Sequence, residues 1–439
     1  MERKLVSETP GLIGQTIRLA GWVHNRRDHG KLIFIDLRDR SGILQMVVIP
    51  DKEEAYNVAK ELRSQFVVEI EGLVKARPGG QAKESALGGV EIEVSGIRII
   101  SDVKEELPFD VSKKELELNP STLFDNRNLA LRNKKVNDIF KVYAQVLKSY
   151  GEVMRENGFM EIKSPKILSA ATEGGANFFK IKYFDREAYL AQSPQFYKQA
   201  GVGAFERVFE IGSVFRAEPH FTTRHVNEYI GIDAEMGFIE NFSDIMDQLE
   251  MVMKRIIADV KENCQEELKE YEGGEFLVPD KFPRIRLEEA LEILKNEYGK
   301  EYLGIDIDPE GERLICDWAK EKHGSDFVFL THYPVSIRPF YAMPSPDGKS
   351  TESFDLIFRG VEIGTGGQRI NRYDDMVKSI QKHGLKPEDF KHYLDIFKIG
   401  MPLHGGWGLG SERIAQKILG LKSVKEAILF PRDVKRLTP

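Results

Sequence analysis

Cysteine is scarce in this chain, and apolar residues never form a long unbroken run. The 439 residues include two cysteines, Cys264 and Cys316, which are too few for a disulfide framework. Neither lies in a Cys-x-x-Cys or Cys/His pattern of the kind that binds zinc. No segment approaches the roughly 20 apolar residues of a membrane span, and the amino terminus lacks the apolar stretch of a signal peptide. The sequence therefore predicts a cytoplasmic protein without membrane contact.

A surplus of positive charge is also missing. The formal net charge is -7 at pH 7, whereas a protein that binds nucleic acid over its whole surface needs an excess of lysine and arginine to neutralise phosphates. Any contact with nucleic acid must therefore use local patches. The length is typical of two or three domains, and the apolar content suffices for a large core.

Short β-rich runs, broken by glycine and polar turns, occupy residues 16–100. They read TIRLAGWVH, KLIFIDLRD, GILQMVVI, FVVEIEGLVKA and GVEIEVSGIRII, with one helical stretch, EEAYNVAKELRS, between the third and the fourth. Five strands at this spacing are typical of an OB-fold barrel, although an unrelated small barrel fits the same pattern. We therefore expect an all-β N-terminal domain at residues 1–102.

A charged, proline-containing stretch follows and indicates a linker at residues 103–130. From residue 131 onward, helical and strand patterns mix. In VNDIFKVYAQVLKSYGEVMRENGF, for example, the apolar residues recur at helical spacing. The sequence thus predicts a second, larger α+β domain at residues 131–439.

Residues 207–238 of this domain combine charge with an apolar strand pattern. Two β-like runs flank a polar loop that holds Arg224 and His225. Arg216 and Glu218 alternate onto one face of the first run, so a cation and an anion would project together into a site. An exposed hairpin with solvated charges is the plain alternative, but unpaired charge in an apolar strand is costly.

Residues 405–419, GGWGLGSERIAQKIL, lead from glycines into an amphipathic helix. Its first turn carries Glu412 and Arg413. Glycine allows close backbone approach to a ligand, and an arginine at this place can lie against a flat base or a phosphate. An ordinary turn before a helix fits the same letters.

Together with GFMEIKSPKIL at residues 158–168, these segments resemble, in order and spacing, the three signature motifs of the class II aminoacyl-tRNA synthetases. The resemblance implies an antiparallel sheet flanked by helices, ATP as a substrate, and a homodimer with Pro165 at its interface. It also implies a catalytic set of Arg216, Glu362 and Arg413. The ATP-binding residues that it implies are Arg216, Ala217, Glu218, Arg224, His225, Val226, Glu362, Gly410, Ser411, Glu412 and Arg413.

Three further segments look like the aspartate-specific, archaeal-type members of that family. They are TEGGANFFKIKYF at 172–184, AQSPQFYKQ at 191–199 and FDLIFRGVEIGTGGQRINRYDD at 354–375. A site for aspartate must neutralise a side-chain carboxylate, which Lys198 and Arg369 can do. The aspartate-binding residues implied by the resemblance are Glu173 and Gln195 at the ammonium end, Lys198, Arg216, Asp233, Thr365 and Arg369.

Two other functions remain open at this point. An asparagine enzyme needs no full positive charge at the side-chain end and usually reads GGSxRE where this chain reads GGQRIN, so Lys198 and Gln368 favour aspartate. A lysine enzyme fits less well because its pocket needs carboxylates. A noncatalytic RNA-binding relative would share the fold, which does not by itself prove catalysis.

Glu362, in GVEIGTGG, resembles the family's magnesium ligand, and Thr365 adds a hydroxyl group. Hard oxygen ligands suit Mg²⁺, which also contacts phosphates. Here the chain departs from the common pattern, because Gly364 and Thr365 stand where two serines are usual. A threonine hydroxyl can still coordinate the ion.

The N-terminal domain combines Arg27, Phe34 and Gln45 on neighbouring predicted strands. Aromatic stacking and edge hydrogen bonds read single-stranded bases, so this trio predicts an anticodon site for tRNA(Asp), although Phe34 could instead belong to the core. In the archaeal-type family, strict enzymes carry a Trp at the position of His24. They also carry a Lys at about the position of Leu87. Relaxed enzymes show His and Pro at those places, so this chain matches the relaxed pattern at His24 and neither pattern at Leu87. Smaller groups remove a penalty against the wrong base, so we expect tRNA(Asn) to be charged as well.

Overall fold

Two compact units make up the described part of the chain. One comprises Met1–Glu117 with Arg132–Lys134, and the other comprises Leu118–Leu131 with Lys135–Pro439. The domain limits expected from the sequence, at residues 102 and 131, stay predictions. No helix among the described residues is long and apolar enough to cross a membrane. The computed structural model describes residues 1–77, 89–169, 177–219, 222–271, 273–302 and 305–439.

The smaller unit is a closed five-stranded barrel with strand order β1-β2-β3-β5-β4. Ile33, Ile35 and Leu37 alternate into its interior and are fully buried, as the period of two along a strand requires. The closed barrel and the helix between its third and fourth strands confirm the predicted OB fold. The elements are β1 (Thr16–Asp28), β2 (Ile33–Asp39), β3 (Gly42–Val48), α1 (Glu53–Glu61), β4 (Val67–Ala76) and β5 (Val90–Ser101).

An eight-stranded sheet forms the centre of the larger unit. Its strands are β6 (Met160–Glu161), β10 (Arg207–Phe215), β11 (Glu228–Gly237), β12 (Arg284–Arg286), β13 (Phe327–Thr331), β14 (Ser353–Phe358), β15 (Val361–Arg369) and β16 (His404–Gly410). A second, three-stranded sheet contains β7 (Ile167–Leu168), β8 (Lys180–Tyr183) and β9 (Arg186–Leu190).

The large sheet is antiparallel at its centre and parallel at both edges. Its order is β12-β13-β14-β15-β16-β11-β10-β6. The predicted antiparallel sheet is therefore confirmed for the six central strands, whereas the β12–β13 and β10–β6 pairs are parallel. In both edge pairs a long connection that contains helices joins the two strands, and such crossovers are what parallel pairing needs.

Helices cover the sheet. Ile139, Val142 and Val146 of the fourth helix recur at spacings of three and four and are buried against the sheet in one apolar cluster. That helix ends where Gly158 adopts a left-handed backbone with φ of 78°. The helices are α2 (Pro120–Asp125), α3 (Arg127–Ala130), α4 (Lys134–Glu156), α5 (Gln195–Phe205), α6 (Phe242–Asn263), α7 (Gln265–Leu268), α8 (Leu287–Tyr298), α9 (Pro309–His323), α10 (Tyr373–Lys382), α11 (Lys391–Lys398) and α12 (Ser411–Leu419).

One strand ends earlier than the sequence predicts. β10 stops at Phe215, so Arg216 and Glu218 lie in the loop that follows and not on a strand face. The cause is Asn227, whose side-chain amide donates to the carbonyl oxygens of Arg216 at 2.7 Å and Glu218 at 3.3 Å. The side chain of Asn227 therefore takes the ladder bond to the Arg216 carbonyl, while the Arg216 N–H still donates to the Asn227 carbonyl at 2.9 Å.

Candidate active site

A cleft of about 400 Å³ opens in the larger unit beside the central strands β11, β15 and β16. Two of the predicted ligand residues, Ala217 and Ser411, do not line it, and Glu173 lies outside the described residues. The predicted residues that line it together are Gln195, Lys198, Arg216, Glu218, Arg224, His225, Val226, Asp233, Glu362, Thr365, Arg369, Gly410, Glu412 and Arg413.

A buried network of charges forms the base of the cleft. Lys198 is only 2% exposed, and its Nζ lies 3.0 Å from Asp233 and 3.4 Å from Glu235. Arg369 donates from Nε to Glu235 at 2.9 Å and from Nη2 to the Gly406 carbonyl at 3.0 Å. Buried charges persist only where partners compensate their desolvation. Here one helix and two strands supply both signs.

The two carboxylates of this network differ electrostatically. Burial raises the pKa of Asp233, although the charge of Lys198 opposes the shift. Burial acts on Glu235 in the same sense, but Arg369 and Lys198 together lower the pKa of this carboxyl. Glu235 is therefore firmly ionised and holds both cations in place.

Arg369 lines the cleft, and one of its donor groups is not used by the network. Nη1 of Arg369 has no hydrogen-bond acceptor among the residues that the structure describes. An arginine presents its N–H groups in a planar fork that matches a carboxylate. The base of the cleft therefore offers a ready donor to an anionic or carbonyl oxygen of a ligand.

A second group of charges lies nearer the middle of the cleft, and the sequence did not predict two of its members. Arg338 packs over the ring of Tyr333 at 3.7 Å, pairs with Asp355 at 2.8 Å and donates to Thr365 at 3.1 Å. Burial and the neighbouring charge of Asp355 raise the pKa of Glu362. Two carboxylates thus lie close enough to repel each other.

The arginines predicted to contact ATP lie along the same cleft. Arg216 is 3.8 Å from Glu218, whose other oxygen is 3.5 Å from the imidazole of His225. Arg224 forms an ion pair with Glu312 of α9. Arg413 donates to the Glu362 carbonyl at 2.7 Å. Several cationic groups therefore converge where a polyphosphate could bind.

Glu412 has its carboxylate directed into the core rather than the cleft. The side chain is 3% exposed, accepts hydrogen bonds from the Ile230 backbone at 2.9 Å and Tyr143 at 3.3 Å, and lies 3.1 Å from the Ser411 hydroxyl oxygen. Burial raises the pKa of Glu412 to about 7. Ser411 likewise donates to the Ile230 carbonyl at 2.9 Å, while the Ala217 backbone N–H donates to the Asn177 carbonyl at 3.0 Å. Ser411 and Glu412 thus fasten the start of α12 to β11.

The predicted anticodon residues lie on the outer face of the barrel. Arg27 is paired in register with Phe34, and its guanidinium is 6.0 Å from the ring centroid. It also donates to Asp36 at 3.0 Å and to Gln45 at 3.3 Å. Phe34 is partly exposed, since its neighbours in β2 fill the interior. The structure thus brings Arg27, Phe34 and Gln45 together.

His24, also predicted to face the anticodon, is the extra residue of a β-bulge in β1. The β1–β2 register shifts between Val23 and Asn25, so His24 has no partner of its own across the ladder. A bulge re-aims its side chain relative to the regular strand. Burial and the charge of Arg38 lower the pKa of His24, which keeps the imidazole neutral. The remaining predicted residue, Leu87, lies outside the described residues.

Residues 119–434 match the model of the class II tRNA synthetases (D, K and N), and residues 17–100 match an OB-fold nucleic acid binding domain of the anticodon-binding type. The chain therefore belongs to the class II tRNA synthetases of the D, K and N group, which are aminoacyl-tRNA ligases that use ATP.

Individual proteins of this family are similar to the chain over nearly its whole length. An aspartate–tRNA(Asp/Asn) ligase of Deinococcus radiodurans is 43% identical, with 100% of this chain and 99% of the relative covered. An aspartate–tRNA(Asp) ligase of Pyrococcus abyssi is 44% identical over 98% of each chain. The crystal structure of asparaginyl-tRNA synthetase from Pyrococcus horikoshii with asparaginyl-adenylate superimposes with a TM-score of 0.92 at 32% identity and covers 100% of both chains.

Glu412→Gln is expected to make the stability of the chain less dependent on pH. The pKa of Glu412 is about 7 in the folded state against 4.5 without burial. The stabilisation that depends on its proton is therefore fully present below pH 4.5 and is lost as the pH rises through about 7, by up to ~3 kcal/mol. Urea unfolding should show the variant gaining stability relative to the wild type over this range. A difference that does not change with pH would contradict the assignment.

Proposed function

We propose that this chain is an aspartate–tRNA ligase, which activates L-aspartate with ATP and transfers it to tRNA(Asp). The observation that carries the proposal is the buried pair of cations that lines the cleft, Lys198 and Arg369, with Nη1 of Arg369 left without an acceptor among the described residues. A substrate with a side-chain carboxylate needs such a cationic partner, because an unpaired buried charge is costly. Relatives at 43–44% identity that carry the name of aspartate ligases support the same substrate.

An asparaginyl-tRNA synthetase is the second candidate, because the high TM-score belongs to an enzyme of that kind. The charges favour aspartate. Lys198 and Arg369 lie within 3.4 Å of the same residue, Glu235, so two cationic groups are held side by side where they line the cleft. A neutral carboxamide would gain less from these two cations than a carboxylate does.

The reaction that we infer is attack of the aspartate α-carboxylate on the α-phosphate of ATP, with expulsion of pyrophosphate. The protein aligns the reactants and neutralises charge, so no nucleophilic side chain is needed. Arg216 would neutralise the α-phosphate, while Arg413 and Arg224 would bind the rest of the nucleotide. Ser411 and Glu412 would contribute through their backbone, since their side chains bond to β11 and Tyr143. Ala217 would contribute through its backbone carbonyl, since its N–H donates to Asn177.

Magnesium fits the middle of the cleft. Glu362, Asp355 and the Thr365 hydroxyl offer hard oxygen atoms. The raised pKa of Glu362 reflects burial first and the negative charge of Asp355 second, and a cation would relieve the second. Mg²⁺ usually takes one or two carboxylates together with substrate phosphates. This preference agrees with the absence, among the described residues, of any cluster of three metal-binding side chains. When bound, the ion would withdraw charge from the phosphates.

We infer two macromolecular contacts. Arg27, Phe34 and Gln45 would stack on and hydrogen-bond to anticodon bases on the barrel face. A homodimer would use the first motif, because β6 is an edge strand and two apolar side chains beside Pro165, Met160 and Ile167, are half exposed. A second copy of the chain would cover them.

Aspartate-dependent exchange of pyrophosphate into ATP tests the function directly. We expect exchange with aspartate and at least ~100-fold less with asparagine, a difference of about 2.7 kcal/mol. A preference for asparagine would establish the second candidate instead. Absence of exchange with every amino acid would leave a noncatalytic RNA-binding protein.

Lys198→Met is expected to lower aspartate activation by at least ~2 kcal/mol while ATP binding changes little, because the substrate carboxylate loses its cation. Lys166→Met is a matched control. Lys166 also pairs with a buried carboxylate, that of Glu210 at 2.7 Å, but does not line the cleft. Both variants leave a buried anion unpaired, so both lose stability in thermal unfolding. Equal KM values for aspartate in the two variants would show that another residue binds the side chain.

Glu362→Gln is expected to raise the magnesium concentration needed for half-maximal exchange by ~10-fold or more, since one of the ion's carboxylates is lost. Asp306→Asn serves as the control, because Asp306 lines the same cleft without belonging to the proposed set. Magnesium titrations of both variants and of the wild type decide the matter. A Glu362→Gln curve that overlays the wild type would remove Glu362 from the site.

Transcripts of tRNA(Asp) and tRNA(Asn) should both be aspartylated. His24 leaves the third anticodon base without a bulky neighbour, so the penalty against the wrong base is absent. His24→Trp is expected to restore the preference for tRNA(Asp) and leave tRNA-independent exchange unchanged. A wild-type preference of ~100-fold, worth about 2.7 kcal/mol, would establish a strict enzyme.

A further inference from the structure

A chain of buried side-chain hydrogen bonds ends at the amino-acid end of the cleft. It begins at His404, the first residue of β16, passes through Gln199 and ends at Gln195, the first residue of α5. His404 and Gln199 are fully buried, and Gln195 is 3% exposed. None of the roles proposed above uses His404 or Gln199.

One carbonyl group determines which atoms donate and which accept in this series of hydrogen bonds. His404 Nδ1 lies 2.9 Å from the Pro402 carbonyl oxygen, which only accepts, so Nδ1 carries a proton. Burial and the charge of Arg369 lower the pKa of His404 against the opposing charge of Glu235. The imidazole is therefore neutral, and its Nε2 must accept. Nε2 lies 2.9 Å from the amide nitrogen of Gln199, which donates to it.

The amide oxygen of Gln199 consequently faces the other way. It accepts from the Tyr393 hydroxyl at 2.8 Å and from the amide nitrogen of Gln195 at 3.0 Å. Burial raises the pKa of Tyr393, so the hydroxyl keeps its proton. Gln195 lines the cleft, and because its nitrogen is engaged with Gln199, its oxygen is the amide atom left for a ligand. Within the described residues that oxygen accepts no hydrogen bond.

Only His404 can impose this direction. The hydroxyl of Tyr393 and the carboxamide of Gln195 both donate and accept, so either could pair with a reversed Gln199 amide. A neutral imidazole held at Nδ1 cannot, because its Nε2 offers a lone pair and no proton. A reversed amide would place the nitrogen of Gln195 in the cleft.

We propose that His404 is a positioning residue for the amino-acid substrate: through Gln199 it turns the amide oxygen of Gln195 towards the cleft, where this oxygen accepts a hydrogen bond from the α-ammonium group. The inference rests on the proposed activation of aspartate. It concerns the ammonium group alone, because Lys198 and Arg369 bind the side-chain carboxylate. Loss of His404 therefore weakens one end of the substrate and not the other.

Aspartate and succinate distinguish binding of the ammonium group from binding of the carboxylates. Succinate has both carboxylates of aspartate but no ammonium group. His404→Leu is expected to raise the KM for aspartate at least ~10-fold in pyrophosphate exchange, because a hydrogen bond to a charged group is lost. The inhibition constant of succinate and the KM for ATP should stay within about threefold of the wild type, since neither contact involves this hydrogen bond.

Two further variants serve as rescue and control. His404→Gln places a carboxamide beside Gln199 that both donates and accepts, so it restores the direction only in part, and its KM for aspartate should lie between those of the wild type and His404→Leu. Tyr393→Phe removes a hydroxyl from the same Gln199 amide without affecting its direction. It should change the constants for aspartate and succinate by less than about threefold.

Equal increases in the KM for aspartate and in the inhibition constant of succinate in His404→Leu, or no increase in either constant, would overturn the proposal. If that variant does not give a cooperative thermal unfolding transition, Gln199→Met decides by the same comparison, because it removes the directing amide. Failure of the unmodified chain to exchange with aspartate would refute the proposed function itself. Exchange by the unmodified chain without the selective loss in the variants would refute this inference alone.

Discussion

The buried charges at the base of the cleft constrain the strands around them. Lys198, Asp233, Glu235 and Arg369 come from α5, β11 and β15, and each would be costly to bury without the others. They also explain glycine in the neighbouring strand. A Cβ atom at Gly408 would lie 2.9 Å from an oxygen of Asp233, so a side chain there would displace the carboxylate from Lys198. The glycines of β16 therefore leave space for buried charged side chains of the protein as well as for a ligand.

The architecture could be predicted because periodicity is a local property of the sequence. The barrel strands alternate apolar and polar residues, and α4 repeats its apolar residues at helical spacing, so both were recognised without knowledge of their partners. The end of β10 could not be predicted in this way. It depends on the side chain of Asn227, which lies across the hairpin and bonds to two carbonyl groups of the loop. Parallel pairing at the sheet edges was missed for the same reason, since it follows from the path of the chain in space.

The missed members of the site divide into two kinds. Asp355 and Glu235 lie in otherwise apolar or small-residue strands, FDLIF and GIDAEMG, where an uncompensated charge is costly. Both residues could have been predicted from this cost, as Arg216 was. Arg338 could not be predicted in this way, because it lies in an irregular segment after a short 3₁₀ helix. Its position in the site depends on packing on Tyr333 and on pairing with Asp355. No regular spacing connects those three positions.

The SER letters at the start of α12 show how a motif relates to a site. Successive residues of an α-helix point about 100° apart, since there are roughly 3.6 residues in a turn. Three consecutive side chains therefore cannot all face one ligand. Arg413 contacts the carbonyl of Glu362 in the cleft, whereas Ser411 and Glu412 bond to β11 and Tyr143. The two core-facing residues fix the helix, and the fixed helix aims the arginine. A motif of this kind therefore includes residues that hold the helix in place as well as residues that can contact the ligand.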